Sequence, residues 1–309
     1  MATLVSIVLP TYNGARYLEQ ALQSVLDQTY TEWELIIVDS YSTDDTPHII
    51  ARFCDQDSRI RVIQHPKDQG RLPGALNAGF ALAQGEYHTW LSDDNYFRPH
   101  ALETLATYLD THPEIDLVYS DFTVFYEGNP TPELRRAADP DLLTEKTVVT
   151  PSFLYRRAVY ERLGGYRVEY FLSEDYDFWL RAYSYFRFQP IHEDLHVYRF
   201  HSQGLTATAT RSAIDAVIEK TLLDNLEHSP WTRQRQPRSR IYLYLARLAG
   251  RQGAASRQRR YWLLAARYAP EIVLRRLGLA GIERFLGKAA KDKASRGYLR
   301  VKQFLRRSR

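Results

Sequence analysis

Residues 4–13 read Leu-Val-Ser-Ile-Val-Leu-Pro-Thr-Tyr-Asn. Leu4–Leu9 is a short, mostly apolar run of leucine and β-branched residues, which predicts a buried strand that ends at Pro10. A second pattern follows at helical spacing, carried by Leu18, Ala21, Leu22 and Val25. The chain therefore begins with a strand followed by an amphipathic helix.

The same strand-then-helix pattern recurs three more times before residue 110. The predicted pairs are strand 35–38 with helix 45–53, strand 60–63 with helix 72–83, and strand 87–91 with helix 101–109. Four such units predict an α/β fold with a mostly parallel sheet that helices cover on both faces. Ligands of such sheets bind beyond the carboxyl ends of the strands, so we expect the site to follow Leu9, Val38 and Leu91.

The second half of the chain gives a mixed pattern. We predict strands at 117–125, 152–155 and 195–200, a helix at 176–185 and a polar, proline-containing loop at 128–147. Beyond Arg211 the pattern is helical, with Ile241, Tyr244, Leu245 and Leu248 on one stripe. We therefore expect a domain at 1–210 and a basic helical region at 211–309.

Composition and charge narrow the functional class. The 309 residues are 44% hydrophobic and 25% charged, which suits a folded protein with a real core. Residues 231–309 carry 22 Lys or Arg against three acids, although the whole chain has a net charge of only +4. Cys54 is the single cysteine, so an internal disulfide and a cysteine-based metal cluster are excluded. No long apolar run and no basic leader are present, and we expect a cytoplasmic protein.

Acidic side chains cluster at the predicted strand ends. Asp39 follows the second strand, and Asp93 and Asp94 follow the fourth. Carboxylates that the fold brings together repel one another unless a cation or a bound donor group neutralises them. Asp44 and Asp45 have a simpler interpretation, because acids are favoured at the first turn of a helix.

These segments resemble the family 2 glycosyltransferases, which are inverting enzymes with the GT-A nucleotide-sugar-binding fold. The similarity covers about residues 4–206. Pro10, Thr11 and Tyr12 stand in a segment similar to the family's opening loop around base and ribose. Asp39 lies in Val38–Thr46, which is similar to the family segment whose first Asp contacts the pyrimidine. The resemblance also implies donor contacts for two residues further along the chain, Arg71 and Asn77.

Residues 90–96 stand where the family has its metal-binding D-x-D motif. The resemblance assigns Asp94 as the first metal ligand, while Ser92 occupies the position of the first Asp and Asp93 is a second candidate for metal or ribose. Oxygen ligands of this kind suit Mn²⁺ or Mg²⁺. The later segment Arg199–Ser202 resembles the family's R-x-H element, which implies a diphosphate contact for Arg199 and a metal contact for His201.

Residues 173–181 resemble the family's E-D-x-D-x-x-x-R segment at the start of a helix beneath the acceptor site. The resemblance implies that Asp175 is the catalytic base, with Glu174 as second choice or orienting neighbour. An inverting transfer needs one carboxylate that removes the acceptor proton while that oxygen attacks the anomeric carbon. The competing interpretation is an acidic first turn that only meets the helix dipole.

The activity implied is inverting transfer of a sugar from a UDP- or dTDP-sugar to a hydroxyl of a glycan or lipid-linked glycan, in cell-surface polysaccharide synthesis. A rival is the zinc-protease pattern H-E-x-x-H at His192–His196. On a helix its two histidines would lie about 6 Å apart, and on a strand about 13 Å. The alternation in residues 197–200 favours a strand and therefore disfavours a zinc hydrolase.

The basic C-terminal region leaves a second rival open. A basic amphipathic helix suits an anionic membrane surface, here the inner face of the cell membrane, and it also suits nucleic acid. The aromatics Tyr261, Trp262, Tyr268 and Tyr298 recur beside Leu and Ala at helical spacing. This pattern favours core or membrane packing over base stacking, so nucleic acid is the weaker of the two partners.

Overall fold

The structure is a computed structural model that describes residues 2–129, 131–273 and 275–276. Tyr298 and the rest of the predicted basic region beyond residue 276 lie outside the described residues. The chain divides into two compact units: one contains the residues up to Leu143 together with Thr147–Val217, and the other contains Thr144–Lys146 and the chain from Ile218 onward.

The described helices and strands follow the predicted order through residue 126. The strands are β1 Val5–Thr11, β2 Trp33–Asp39, β3 Ile60–Gln64, β4 Tyr87–Trp90, β5 Tyr96–Phe97, β6 Leu117–Tyr126, β7 Glu133–Arg135, β8 Phe153–Arg156 and β9 Phe188–Phe200. The helices are α1 Ala15–Leu26, α2 Thr46–Gln56, α3 Arg71–Phe80, α4 Ala101–Thr111, α5 Arg157–Leu163, α6 Glu174–Ala182, α7 Leu205–Thr208, α8 Arg211–His228, α9 Arg235–Arg251 and α10 Ala255–Tyr268.

The strands form one sheet in the order β3-β2-β1-β4-β8-β6-β9-β5, with β7 paired to β6. The four predicted units supply β1 to β4, which pair in parallel. The later strands pair in both directions, with β6 and β9 parallel and β8 antiparallel to its neighbours. The carboxyl ends of β1, β2 and β4 therefore meet at one edge of the sheet, as predicted.

The strand β1 lies at the centre of this arrangement. All seven of its residues are buried, because it has neighbours on both sides and helices above and below. Pro10 fits near its end because the β1–β4 ladder stops at Val8 and Trp90, so the missing N–H of Pro10 faces no strand. Gly79 of α3 packs directly onto β1, where a Cβ would lie 2.5 Å from Val8.

Two boundary predictions were wrong. The strand expected at 195–200 begins at Phe188, because residues 188–194 pair with β6 across two register shifts. The expected loop at 128–147 contains β7, which pairs with β6, and a 3₁₀ turn at Pro140–Thr144. In both cases pairing with β6 imposes structure that the local pattern does not show.

The His192–His196 segment lies inside β9 and not on a helix. His196 is fully buried, whereas the His192 side chain lies at the surface with its Nδ1 3.2 Å from Asp121 Oδ1. The strand prediction is therefore confirmed, and this segment has no zinc-protease geometry.

The second unit contains the described part of the basic region from Ile218 onward, whereas residues 211–217 belong to the first unit. Ile241, Leu245 and Leu248 of α9 are buried and Tyr244 is half-buried, so most of the predicted apolar stripe lies in the core of this unit. The Ser239 hydroxyl donates to the carbonyl of Ala265 at 2.9 Å and ties α9 to α10. None of the described helices has the length and hydropathy of a membrane span.

An ion cluster holds the start of α6. Asp177 is fully buried and accepts hydrogen bonds from Arg167 Nε and Arg181 Nε, both at 2.9 Å. The same Arg181 donates to the carbonyls of Leu163 and Gly165 at 2.9 and 2.8 Å. Two guanidinium groups stabilise the buried Asp177 carboxylate, and the cluster joins α6 to the turn that follows α5.

We therefore expect Asp177→Asn to lower the free energy of unfolding by about 3 kcal/mol, because it leaves two guanidinium groups without their counter-charge. Urea denaturation followed by tryptophan fluorescence measures this. The control Asp55→Asn removes an exposed carboxylate from α2 and should change stability by less than about 0.5 kcal/mol. Equal small effects of the two substitutions would show that the ion cluster does not hold α6.

Candidate functional site

The loops that follow β1, β2 and β4 contact one another. Thr11 Oγ1 donates to Asp93 Oδ2 at 2.6 Å, and the backbone N–H of Asn13 donates to Ser42 Oγ at 2.8 Å. Gly14 permits this approach, since a Cβ at that position would lie 2.2 Å from Asp93 Oδ2. Burial, with repulsion from the neighbouring carboxylate as a smaller cause, raises the pKa of Asp93 to about 7.

Asp39 ends β2 and is fully buried. Its carboxylate accepts hydrogen bonds from the backbone N–H and hydroxyl of Ser42 at 3.1 and 2.5 Å, and from Gln64 Nε2 at 3.0 Å. In the β1 loop, Tyr12 is 44% exposed, with the Lys67 ammonium 3.7 Å from its ring centre. The edge thus offers a fixed carboxylate and an exposed aromatic ring beside a positive charge.

Asp94 and His201 come together across the site. Asp94 Oδ2 lies 3.1 Å from Nε2 of the buried His201. The Tyr17 ring packs edge-on against the imidazole, with 4.9 Å between the ring centres. The Arg199 guanidinium lies 4.1 Å from the centre of the Tyr17 ring. Carboxylate oxygen and imidazole nitrogen are ligands that Mn²⁺ accepts. Within the described residues no three His, Cys, Asp or Glu side chains form a metal cage, so this pair would hold a cation only together with ligand oxygens.

Glu174 and Asp175 open α6. Asp175 Oδ1 accepts a hydrogen bond from the N–H of Tyr176 at 2.6 Å, whereas Glu174 Oε2 is buried and has no hydrogen-bond partner among the described residues. Burial, and then repulsion from Asp175, raise the pKa of Glu174 to about 8; burial also raises the pKa of Asp175. Burial thus favours the protonated form of both carboxyl groups.

Both carboxylate groups face the same cavity, which has a volume of about 290 Å³. Its polar lining includes Asp94, Glu174, Asp175, Tyr198, Arg199 and His201. Five of these six residues were predicted from the sequence. The cavity thus brings one carboxylate–imidazole pair and one carboxylate pair to a common space, although Asp94 follows β4, His201 follows β9 and the carboxylate pair opens α6.

Some predicted residues lie outside this lining. Thr11 and Asp39 are the last residues of β1 and β2, and Tyr12 follows β1 at the same edge of the sheet. The Asp93 carboxylate accepts a hydrogen bond from Thr11 and does not line the cavity. Pro10 lies within β1.

Two further predicted residues pack against the segment that precedes α6. Asn77 donates to the carbonyl of Tyr166 at 2.6 Å and accepts from the N–H of Tyr166 at 2.8 Å. The Arg71 guanidinium lies 4.7 Å from the Phe171 ring. The resemblance assigned both residues to donor binding, and the structure gives their side chains contacts that join α3 to residues 165–171.

Sequence analysis missed Tyr198. Burial raises the pKa of its hydroxyl, and the carboxylates of Asp94 and Asp175 raise it as smaller causes, so the phenol lies within electrostatic range of both. Nothing local marks this residue, because tyrosine is common in strands. Its place in the cavity depends on the pairing of β9 with β6.

Comparison with known proteins connects this geometry to a family. The family model described as "Glycosyl transferase family 2" matches residues 6–164. A Mycobacterium tuberculosis protein named "PGL/p-HBAD biosynthesis glycosyltransferase" is 33% identical over 192 residues, which is 59% of this chain and 71% of that protein. A Rickettsia conorii protein named "Uncharacterized glycosyltransferase" is 30% identical over 266 residues, which is 80% of this chain and 42% of that protein.

Solved structures show the same fold at low sequence identity. S. aureus TarS 1–349 in complex with UDP-GlcNAc superposes with a TM-score of 0.68 and 17% identity, covering 96% of this chain and 92% of that chain. Mannosyltransferase PcManGT from Pyrobaculum calidifontis, in complex with GDP-Man and Mn²⁺, gives 0.64 and 19%, covering 97% and 88%. The prediction of a GT-A-like α/β fold is confirmed.

The raised pKa of Glu174 predicts that the stability of the folded chain depends on pH. Its pKa is higher in the folded chain than the ordinary 4.5, so between about pH 5 and pH 8 the folded state binds the proton and the unfolded state does not. Stability should therefore fall as the pH rises. Glu174→Gln should remove this loss, so the free energy of unfolding of the variant, relative to the wild type, should be higher at pH 8.5 than at pH 5.5 by on the order of 1 kcal/mol or more.

Urea denaturation of both proteins at the two pH values measures the difference. The control Glu114→Gln, at an exposed acid, should track the wild type at both pH values. If Glu174→Gln also tracks the wild type, Glu174 is ionised in the folded protein and the expectation is wrong.

Proposed function

The chain belongs to glycosyl transferase family 2, and from that membership we propose that it transfers a sugar from a nucleoside diphosphate-sugar to a hydroxyl group with inversion at the anomeric carbon. One observation carries the proposal: the Asp94–His201 pair and the Glu174–Asp175 pair face the same cavity. The acceptor is a glycan or a lipid-linked glycan of the cell surface.

The donor base is held at the edge of the sheet by Asp39 and Tyr12. Asp39 is fixed by Ser42 and Gln64, so its carboxylate can accept a hydrogen bond from a pyrimidine N–H with little loss of freedom. Tyr12 offers an exposed ring for stacking. Uracil and thymine both carry the required N–H, which makes a UDP- or dTDP-sugar the proposed donor.

A divalent cation fits beside the donor diphosphate. Asp94 and His201, whose polar atoms lie 3.1 Å apart, would hold the ion together with oxygens of the bound donor. Mn²⁺ or Mg²⁺ bound there would neutralise the charge that builds on the departing nucleoside diphosphate. Asp93 supports the loop from the other side through Thr11.

Asp175 is the proposed catalytic base. It faces the cavity and is fixed by the N–H of Tyr176. A raised pKa makes this carboxylate a better proton acceptor than an ordinary aspartate. It takes the proton of the acceptor hydroxyl while that oxygen attacks the anomeric carbon from the face opposite the diphosphate.

We expect Asp175→Asn to lower kcat by at least about 100-fold while donor binding is retained, because general-base catalysis contributes about 10²–10⁴-fold. Thermal stabilisation by UDP, dTDP, GDP and CMP, each with and without Mn²⁺, measures binding. Sugar transfer measured by mass spectrometry gives turnover, and proton NMR of the product anomer tests inversion.

Two variants complete this experiment. Asp94→Asn should lose the Mn²⁺-dependent part of the stabilisation. Asp55→Asn, at an exposed aspartate of α2, should match the wild type in every readout. Loss of nucleotide binding in Asp175→Asn would make Asp175 a structural residue. Absence of stabilisation by any nucleotide in the wild type would contradict the proposed function.

The basic second unit supports association with the inner face of the cell membrane. Arg259, Arg260, Leu263 and Arg267 lie on one exposed face of α10, which we call the α10 outer face, and Leu263 is 48% exposed. Arginines around an exposed leucine complement anionic headgroups above an apolar layer. A nucleic acid is disfavoured, because Tyr242 packs against Tyr261 and Tyr268 within the unit and these rings are not presented for base stacking.

We expect a triple substitution of Arg259, Arg260 and Arg267 to Gln to weaken binding to phosphatidylglycerol vesicles on the order of 100-fold, at about 1 kcal/mol per arginine. Vesicle sedimentation measures the partition. A matched triple substitution of Arg52, Arg157 and Arg187, which removes the same charge from the first unit, should bind as the wild type does. Equal weakening by the two triples, or equal binding to neutral phosphatidylcholine, would contradict a specific α10 surface.

A further inference from the structure

The imidazole of His201 lacks the hydrogen bond that usually fixes a metal-binding histidine. Its Nε2 lies 3.1 Å from Asp94 Oδ2, whereas its Nδ1 is buried and has no hydrogen-bond partner among the described residues. A histidine that binds a metal ordinarily donates its second ring N–H to a carboxylate, a carbonyl or a water molecule, and this bond sets the orientation of the ring. A different contact must therefore orient the imidazole of His201.

The aromatic ring of Tyr17 makes such a contact. Its centre lies 4.9 Å from the centre of the imidazole, and the two ring planes are inclined by 60°. An edge-on arrangement at this distance is favourable for two aromatic rings, because the positive edge of one meets the negative face of the other. An imidazole that turned its Nε2 away from Asp94 would lose this packing.

The Tyr17 ring is itself fixed at both ends. Tyr17 belongs to the first turn of α1, where its N–H donates to the carbonyl of Gly14 at 3.1 Å. Its hydroxyl donates to Glu127 Oε1 at 3.2 Å. The N–H of Glu127 in turn donates to the carbonyl of Phe200, the residue before His201, at 2.9 Å. The ring is therefore held in place relative to the strand end that carries His201.

Arg199 adds a second restraint on the same ring. Its guanidinium lies 4.1 Å from the centre of the Tyr17 ring, and its Nη2 donates to Gln20 Oε1 of α1 at 2.5 Å. The backbone N–H of Arg199 donates to Oδ1 of Asn95, the residue after Asp94, at 2.8 Å. The first turns of α1 thus contact the end of β9, which is tied by hydrogen bond to the loop that carries Asp94.

We propose that Tyr17 is a positioning residue, whose ring holds the His201 imidazole with Nε2 toward Asp94 and so preorganises this pair for a divalent cation. The inference rests on the proposed function and deepens its cation site. Tyr17 does not line the cavity, so it acts on the cation through His201 and not by touching the ligand. A ligand pair that is already oriented binds more tightly, because less side-chain freedom is lost on binding.

The first test is Tyr17→Leu, which removes the ring and keeps an apolar side chain on α1. The Mn²⁺ concentration for half-saturation should rise about 10- to 100-fold, as is typical when a partner that orients a metal ligand is lost. The electron paramagnetic resonance signal of free Mn²⁺ measures this with saturating UDP or dTDP, whichever stabilises the wild type more. Thermal stabilisation by the nucleotide without metal should change little, because the cavity lining is intact.

Two variants separate the role of the ring from other effects. Tyr17→Phe keeps the ring and loses only the hydroxyl contact with Glu127, so it should bind Mn²⁺ nearly as the wild type does. Tyr108→Leu is the matched control, because Tyr108 of α4 stacks on His112 with 4.1 Å between the ring centres and neither residue lines the cavity. This control should leave the Mn²⁺ affinity unchanged.

An unchanged Mn²⁺ affinity in Tyr17→Leu would overturn the positioning role. Equal losses in Tyr17→Leu and Tyr17→Phe would also overturn it, because the ring would then not be the group that matters. An equal loss in Tyr108→Leu would assign the effect to lowered stability and count against the proposal as well. If Tyr17→Leu does not fold, Tyr17→Met carries the same expectation, since a flexible methionine fills the space of the ring.

The wild type separates this inference from the proposed function. If no nucleotide stabilises the wild type, the proposed function fails. If a nucleotide stabilises it and Mn²⁺ does not bind, or if Mn²⁺ binds with the same affinity in the wild type and in Tyr17→Leu, the proposed transfer stands and the positioning role of Tyr17 is wrong.

Discussion

The burial of Asp177 between Arg167 and Arg181 is the interaction on which the geometry of the site depends. Asp177 lies one helical turn after Glu174 in α6, so the cluster that fixes Asp177 also fixes the carboxylates at the start of the helix. Arg181 extends the same cluster to two carbonyls of the turn after α5. The helix can therefore hold two buried carboxyl groups toward a cavity, because Arg167 and Arg181 fix its first turn through Asp177.

The second constraint on the molecule is that buried acids lack charges that neutralise them. Asp93, Glu174 and Asp175 all have raised pKa values, with burial as the main cause, so the folded chain keeps acids where water is scarce. Strain of this kind is typical of functional sites, where a ligand removes it. In the proposed reaction the donor and its cation supply the missing positive charge, and the acceptor hydroxyl supplies the missing proton donor for Asp175. The charges that burial disfavours in the folded chain are thus the charges that the ligands would neutralise on binding.

The sequence predicted those parts of the fold and site that follow from local patterns. Asp39 and Asp94 were found because they follow buried strands, and the carboxyl ends of parallel strands share an edge. Asn77 and Tyr198 show the limit of this reasoning. The contact of Asn77 with Tyr166 spans 89 positions, and the place of Tyr198 depends on the pairing of β9 with β6. Long-range pairing of this kind leaves no periodic trace in either segment.

The exclusion of water acts on the site in two ways. Apolar residues such as Val149, Phe153 and Trp179 line the cavity together with Glu174 and Asp175. Burial of this kind raises the pKa of Asp175, which makes the carboxylate a better base. In the proposed reaction the same exclusion of water suppresses hydrolysis of the donor until an acceptor fills the space. One physical cause thus serves the basicity of the carboxylate and the transfer to an acceptor.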